Sequence, residues 1–72
     1  MQDERFTQEV QKIEEAIRRR VAIGTKISFP KLQQEMGQRF NNGRAVDHAI
    51  LAMVRKDEFQ HNDARKILHR KR

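Results

Sequence analysis

The apolar residues of the first third recur on a helical period. Phe6, Val10, Ile13, Ile17 and Val21 are spaced by four, three, four and four residues, which is one stripe of an α-helix. Glu9, Lys12, Glu14, Glu15, Arg18 and Arg19 fall between them and are expected in water. Acids lie early and Arg18-Arg19-Arg20 late, as the helix dipole favours. Gly24 can supply a left-handed end, so the pattern predicts a helix over about 4–22. Thr25-Lys26-Ile27-Ser28 then reads as a minimal strand over 25–28 with Ile27 inward.

Ser28 is expected to cap a second helix, with Pro30 in its first turn. Phe29, Leu32, Met36 and Phe40 give that helix its buried stripe, over about 29–39. Asn41-Asn42-Gly43 is a turn, and either asparagine can cap a third helix over about 44–56. Ala45, Val46, Ala49, Ile50, Met53 and Val54 make a wider stripe, so this helix should pack against both others. Asp57 ends it in a left-handed conformation, which Asp tolerates better than most residues.

Beyond Asp57 the period changes. Residues 58–61 and 65–70 alternate loosely between apolar and polar, with Asn62-Asp63-Ala64 between them as a turn. Two such strands make a β-hairpin, which alone is marginal but gains from a third strand and a helical face. The order helix, short strand, helix, helix, strand, strand is a helix-turn-helix followed by a wing. The predicted fold is therefore mainly α with a small antiparallel β-hairpin: one winged-helix domain over 1–72.

Size and charge narrow the function. A domain of 72 residues must build its core from few side chains, and without cysteine it has no disulfide or thiolate zinc staple. Lack of cysteine suits a reducing compartment. The polar, acid-bearing start Met1-Gln2-Asp3-Glu4-Arg5 does not read as a signal peptide, and no apolar run is long enough to span a bilayer. The net charge of +6 is uneven: seven Lys/Arg face six Asp/Glu in 1–36, and nine face four in 37–72. Basic charge gathered at one end suits a polyanion or an acidic protein surface, and equally a solvated edge.

Chemistry that would make the chain an enzyme in its own right is not evident. His48 falls on the third helix, and His61 and His69 on opposite strands of the hairpin, where a cross-strand pair lacks a clear acid or thiol to complete a metal site. Gly24, Gly37 and Gly43 are isolated, and none opens a Lys-Ser/Thr phosphate motif. No catalytic, cofactor or metal residue is therefore assigned.

In a helix-turn-helix the second helix enters the major groove. Its outward residues here are Arg44, Asp47, His48, Leu51 and Arg55. Arg44 and His48 can donate, but Asp47 repels phosphate and Leu51 offers no hydrogen bond, so the face is a poor base reader. Arg65, Lys66, Arg70, Lys71 and Arg72 form a cationic cluster fit for sequence-blind phosphate contact. With neither Tyr nor Trp, base stacking on a single strand is disfavoured. Arg44, His48, Leu51, Arg55, Arg65, Lys66 and Arg70 are the expected partner or DNA contacts.

Several stretches resemble a known family. They are Lys12-Ile13-Glu14, Arg18-Arg19-Arg20-Val21-Ala22-Ile23-Gly24, Ala45-Val46, Met53-Val54-Arg55-Lys56, Glu58-Phe59-Gln60-His61 and Arg65-Lys66-Ile67-Leu68-His69-Arg70. Together they resemble the C-terminal winged-helix domain of minichromosome maintenance (MCM) proteins, most like subunit five of the hexameric replicative helicase. Asp57 stands where the family usually has glycine, and Phe29–Asn42 and Asn62-Asp63-Ala64 match least. The resemblance implies a piece of a longer nuclear protein, with Met1 not its natural start. An upstream AAA+ module would carry the ATP and Mg²⁺ sites. The implied partners are other MCM subunits, the origin recognition complex and loading factors, with duplex DNA touched non-specifically if at all and no membrane. The competing reading is an autonomous duplex-DNA-binding winged helix of a transcription regulator, although no dimerisation element is apparent.

Overall fold

A computed structural model describes residues 4–72; the sequence reading of Met1-Gln2-Asp3 lies outside the described residues. Helix α1 is Glu4–Arg20, strand β1 Lys26–Ser28, helix α2 Phe29–Phe40, helix α3 Gly43–Arg55, strand β2 Phe59–Asn62 and strand β3 Ile67–Arg70. The strands form an antiparallel sheet in the order β1-β3-β2, so the last strand lies in the middle. This is a winged helix, with α2 and α3 as the helix-turn-helix and β2–β3 as the wing.

The predicted stripes meet in one core. Val10, Ile13, Ile17 and Val21 from the first segment pack with Leu32 and Met36, with Ala45, Val46, Ala49, Ile50 and Met53, and with Phe59 and Leu68 from the wing. Phe6, Ile27, Phe29, Phe40 and Val54 close its rim, half-buried. Burying such side chains gives roughly 1.5–3 kcal/mol each, and this drives helices of mixed propensity into place.

The element ends show where local chemistry and packing part company. Of the two asparagines able to cap α3, Asn42 does so, its side chain accepting from the Ala45 N–H at 3.2 Å. Asn41 takes the left-handed conformation, φ 52°, that ends α2, and its N–H bonds the Gly37 carbonyl at 2.8 Å. Asp57 has φ 64°, as its place after α3 suggested. Ser28 occupies the cap position of α2 in extended backbone, but its hydroxyl makes no capping hydrogen bond. A cap serves the N–H of the second or third helical residue; Pro30, the second, has none, which leaves only the Lys31 N–H as a target. The Phe29 N–H bonds across the sheet to the Lys66 carbonyl at 2.8 Å instead.

Two boundaries move for tertiary reasons. Helix α1 ends at Arg20, before the predicted residue 22. Gly24, at φ 88°, serves the turn into β1 and not the helix end itself. In the wing, Asn62 stays in β2 and its side chain accepts from the Arg65 N–H at 3.2 Å, so the turn runs through Lys66. Lys66 then adopts φ 53°. Arg65 and Lys66 are thus turn residues, not members of the second wing strand as predicted.

Candidate interaction surfaces

The outward stripe of α3 has the expected residues in a partly covered setting. Arg44, His48, Leu51 and Arg55 follow one another at helical spacing and are all exposed. Phe6 at the start of α1 lies against the first two. Its ring meets His48 edge-on with centroids 5.3 Å apart, and the Arg44 guanidinium sits 5.8 Å from its centroid. Asp47 is held by Gln33 of α2, whose side-chain amide donates to it at 2.6 Å. Leu51, 45% exposed, stands beyond these contacts, followed one turn later by Arg55. The face therefore offers an apolar centre with cations on either side, and its carboxylate is already engaged.

The wing cations divide between environments. Lys66 faces a hollow of about 270 Å³ with Phe29, Pro30, His61 and Asp63. There the His61 ring stacks on Phe29 at 4.9 Å, and His61 Nδ1 lies 3.5 Å from Asp63. Arg65 turns to the other side of the wing, to a basin with Lys26, Gln60 and His69. Among the described residues no group of three His, Cys, Asp or Glu comes together to hold a metal. The register explains why the histidines do not pair: His61 lies opposite Leu68 and His69 opposite Gln60, which puts the two rings on opposite faces of the sheet.

Arg70 corrects the sequence reading. It is only 6% exposed and is not a surface contact for a partner or for DNA. Its guanidinium donates to the carbonyls of Arg18 at 3.1 Å and Val21 at 2.7 Å, and also to the Arg72 carbonyl. A helix leaves its last carbonyls without internal partners, and an arginine from a distant strand satisfies them here. Its backbone is fixed as well, the N–H bonding the Thr25 carbonyl at 2.9 Å and the carbonyl accepting from Gly24 at 2.7 Å. Strand alternation held the signal: with Leu68 inward, residue 70 must also point inward.

Glu14 is a second correction. Expected in water, it is 4% exposed. Four residues after Val10 and three before Ile17, it sits on the edge of the apolar stripe. Lys56 Nζ donates to it at 2.8 Å, and Arg18 lies 3.7 Å away. Arg18 in turn grips Glu58 with two hydrogen bonds, at 2.8 and 2.9 Å. Those bonds hold the Glu58 carboxyl below the usual carboxylate range, against the partial burial that pushes it up, while the charges of Arg18, Lys56 and Arg70 add to the lowering. The hydrogen bond to Glu58 likewise raises Arg18 above its ordinary value. Lys71 and Arg72 lean on Asp57, each at 3.6 Å. Much of the C-terminal charge is thus internal bracing.

A family model described as "MCM5, C-terminal domain" matches residues 12–70. The chain belongs to this family. The DNA replication licensing factor Mcm5 of Drosophila melanogaster is 36% identical to it over 59 residues. That alignment covers 82% of this chain but only 8% of the fly protein, so the chain spans a small fraction of that relative's length. No solved structure matches the chain significantly. The match takes in the α1–β1 loop, the α3 stripe and the whole wing, and so includes both Leu51 and the Arg70 brace.

Proposed function

We propose that this domain is an interaction and regulatory module of the MCM replicative helicase, acting in the nucleus at the initiation of DNA replication. It docks a loading factor or a neighbouring subunit through the α3 stripe, with Leu51 as the apolar anchor and Arg44, His48 and Arg55 around it. The observation that carries this reading is the family match over 12–70 together with an exposed leucine set among cations on α3. An apolar anchor, aromatic or aliphatic, inside a polar rim is one way in which protein interfaces concentrate their energy. The same stripe, with Asp47 beside it and few groups able to contact base edges, supports base reading poorly. Arg65 and Lys66 would add only sequence-blind contact with a phosphate backbone.

ATP and Mg²⁺ belong, on this reading, to the motor module of the parent subunit. The residues here do not suit them: Gly24 lies in a loop, Gly37 inside α2 and Gly43 at the start of α3, and among the described residues no His, Cys, Asp or Glu cluster accompanies them. ATP-driven unwinding is then the work of the parent protein.

Leu51→Asp in the full-length subunit tests the docking reading. Loss of a central anchor should weaken association with the loader or the neighbouring subunits by roughly tenfold or more, measured by co-purification of reconstituted complexes. Undiminished recovery would discard the α3 stripe as the docking face. Submicromolar duplex binding by the isolated domain, lost when Arg65 and Lys66 are replaced, would instead favour an autonomous DNA-binding regulator.

A further inference from the structure

Among the described residues the outward face of the sheet is open, with Lys26, Ser28, Gln60 and Asn62 all exposed. Its register places Lys26, His69 and Gln60 in one row across the three strands, and Ser28, Ile67 and Asn62 in the next. The opposite face, with Ile27, Leu68 and His61, turns to the helices. Arg65 reaches the outward face from the wing turn, and with Lys26, Gln60, Asn62, Ile67 and His69 it lines a shallow basin of about 220 Å³. Lys26 also lines a second basin beyond the edge strand β1, with Arg20, Ser28 and Lys31. No Asp or Glu lines either hollow.

The state of the charges separates this face from the braced cations Lys56, Arg70, Lys71 and Arg72, while among the described residues Arg55 on α3 and Lys66 in the wing turn are as unpaired as it is. Arg20 is tied to Glu35 by bonds of 2.9 and 3.2 Å. The side chains of Lys26, Lys31 and Arg65, by contrast, hold no ion pair or hydrogen bond among the described residues. Holding three unpaired cations with no acid between them gives no folding advantage, because like charges repel.

We infer that this outward sheet face is a separate site that grips the sugar–phosphate backbone of duplex nucleic acid. It rests on the reading of backbone contact above and moves the centre of that contact from the Arg65–Lys66 wing turn to the outward sheet face. Lys26, Lys31 and Arg65 neutralise phosphates, and the Gln60 and Asn62 amides with the His69 ring supply hydrogen bonds to phosphate and sugar oxygens. An acidic peptide fits less well. Protein interfaces are anchored by buried aromatic or large apolar side chains, and the only apolar residue of this face is the half-buried Ile67. The face carries no Phe, Tyr or Trp, and with the His69 imidazole as its one ring it offers little platform for stacking the successive bases of a single strand. The α3 stripe, which contains Leu51, is left to the protein partner, so the two surfaces can be engaged separately.

The test is fluorescence anisotropy of a labelled random-sequence duplex with the 72-residue chain at two salt concentrations. Binding should be weak, sequence-blind and steeply salt-dependent. The double variant Lys26→Ala, Arg65→Ala should bind about tenfold less tightly at low salt, with a salt slope shallower by about 1.8, two phosphate contacts' worth. Its thermal unfolding should match the parent's, because neither side chain is paired. Arg55→Ala with Lys66→Ala, on the alternative surface, should lose less affinity than the Lys26, Arg65 variant, and Lys12→Ala with Arg19→Ala on α1 should stay within about twofold of the parent. No duplex binding by the parent at low salt would remove backbone contact altogether. Binding lost in the Arg55, Lys66 variant but kept in the Lys26, Arg65 variant would preserve backbone contact and overturn this face as its place. Tighter binding to a polyglutamate peptide or an oligo-dT strand than to the duplex would overturn the choice of partner.

Discussion

Arg65 and Arg70 belong to the same hairpin and carry the same charge, yet the two faces of the sheet give them different work. Arg70 points inward with Phe59 and Leu68 and closes the end of α1. Arg65 emerges from the turn onto the outward face and has no side-chain partner. The inward face joins the wing to the helices through apolar contact and satisfied carbonyls, while the outward face keeps its cations available. The number of basic residues in a tail therefore overstates the charge on offer to a partner. What counts is how many of those residues the fold leaves unpaired.

The largest expected effect that could break this contrast is in the inward apolar layer. Leu68→Ala should cost about 2–5 kcal/mol, as should Ile17→Ala or Ile50→Ala, because each removes a fully buried side chain and leaves a cavity. Ile67→Ala, on the outward face, should cost no more than about 1.5 kcal/mol. Chemical unfolding of the pair compares the faces directly, and equal losses would mean that the sheet is not sided as described.

Next is Arg70→Met, which keeps much of the stem but strands the Arg18 and Val21 carbonyls. A loss of about 2–3 kcal/mol is expected, against less than about 0.5 for Arg65→Ala. Amide hydrogen exchange should localise the damage to the last turn of α1. If Arg70→Met melts like the parent, the arginine does not act as a cap.

The smallest effect sharpens the inward side. Glu58→Gln weakens the two bonds to Arg18 at a cost of about 1 kcal/mol, modest because Arg18 remains partly in water. The folded carboxyl titrates lower than the unfolded one. Its contribution is thus complete above the unfolded range and disappears as pH falls through the folded value. Parent and variant should therefore differ in melting temperature at neutral pH and converge as the pH drops well below about 4. A gap that persists in acid would show that the pair stabilises by packing and not by charge.

Local sequence was enough to read the helices, an asparagine cap for α3 without choosing between Asn41 and Asn42, the left-handed Asp57 and a third strand for the wing. Each follows from neighbours a few residues away: a stripe at spacing three and four, or one side chain bonding its own turn. The outward residues of α3 were legible for the same reason, since helical spacing alone fixes which of them share a side. Family membership was legible too, because it lies in the order of residues and not in their contacts. What only the tertiary structure decided are the long-range pairings. Arg70 closes a helix that ends some fifty positions earlier, Glu14 is buried under Lys56, and Lys26, Arg65 and His69 share a face only because β3 lies between β1 and β2. No local rule specifies which strand takes the middle of a sheet, and that placement determines whether an arginine is a brace or a hand held out to a partner.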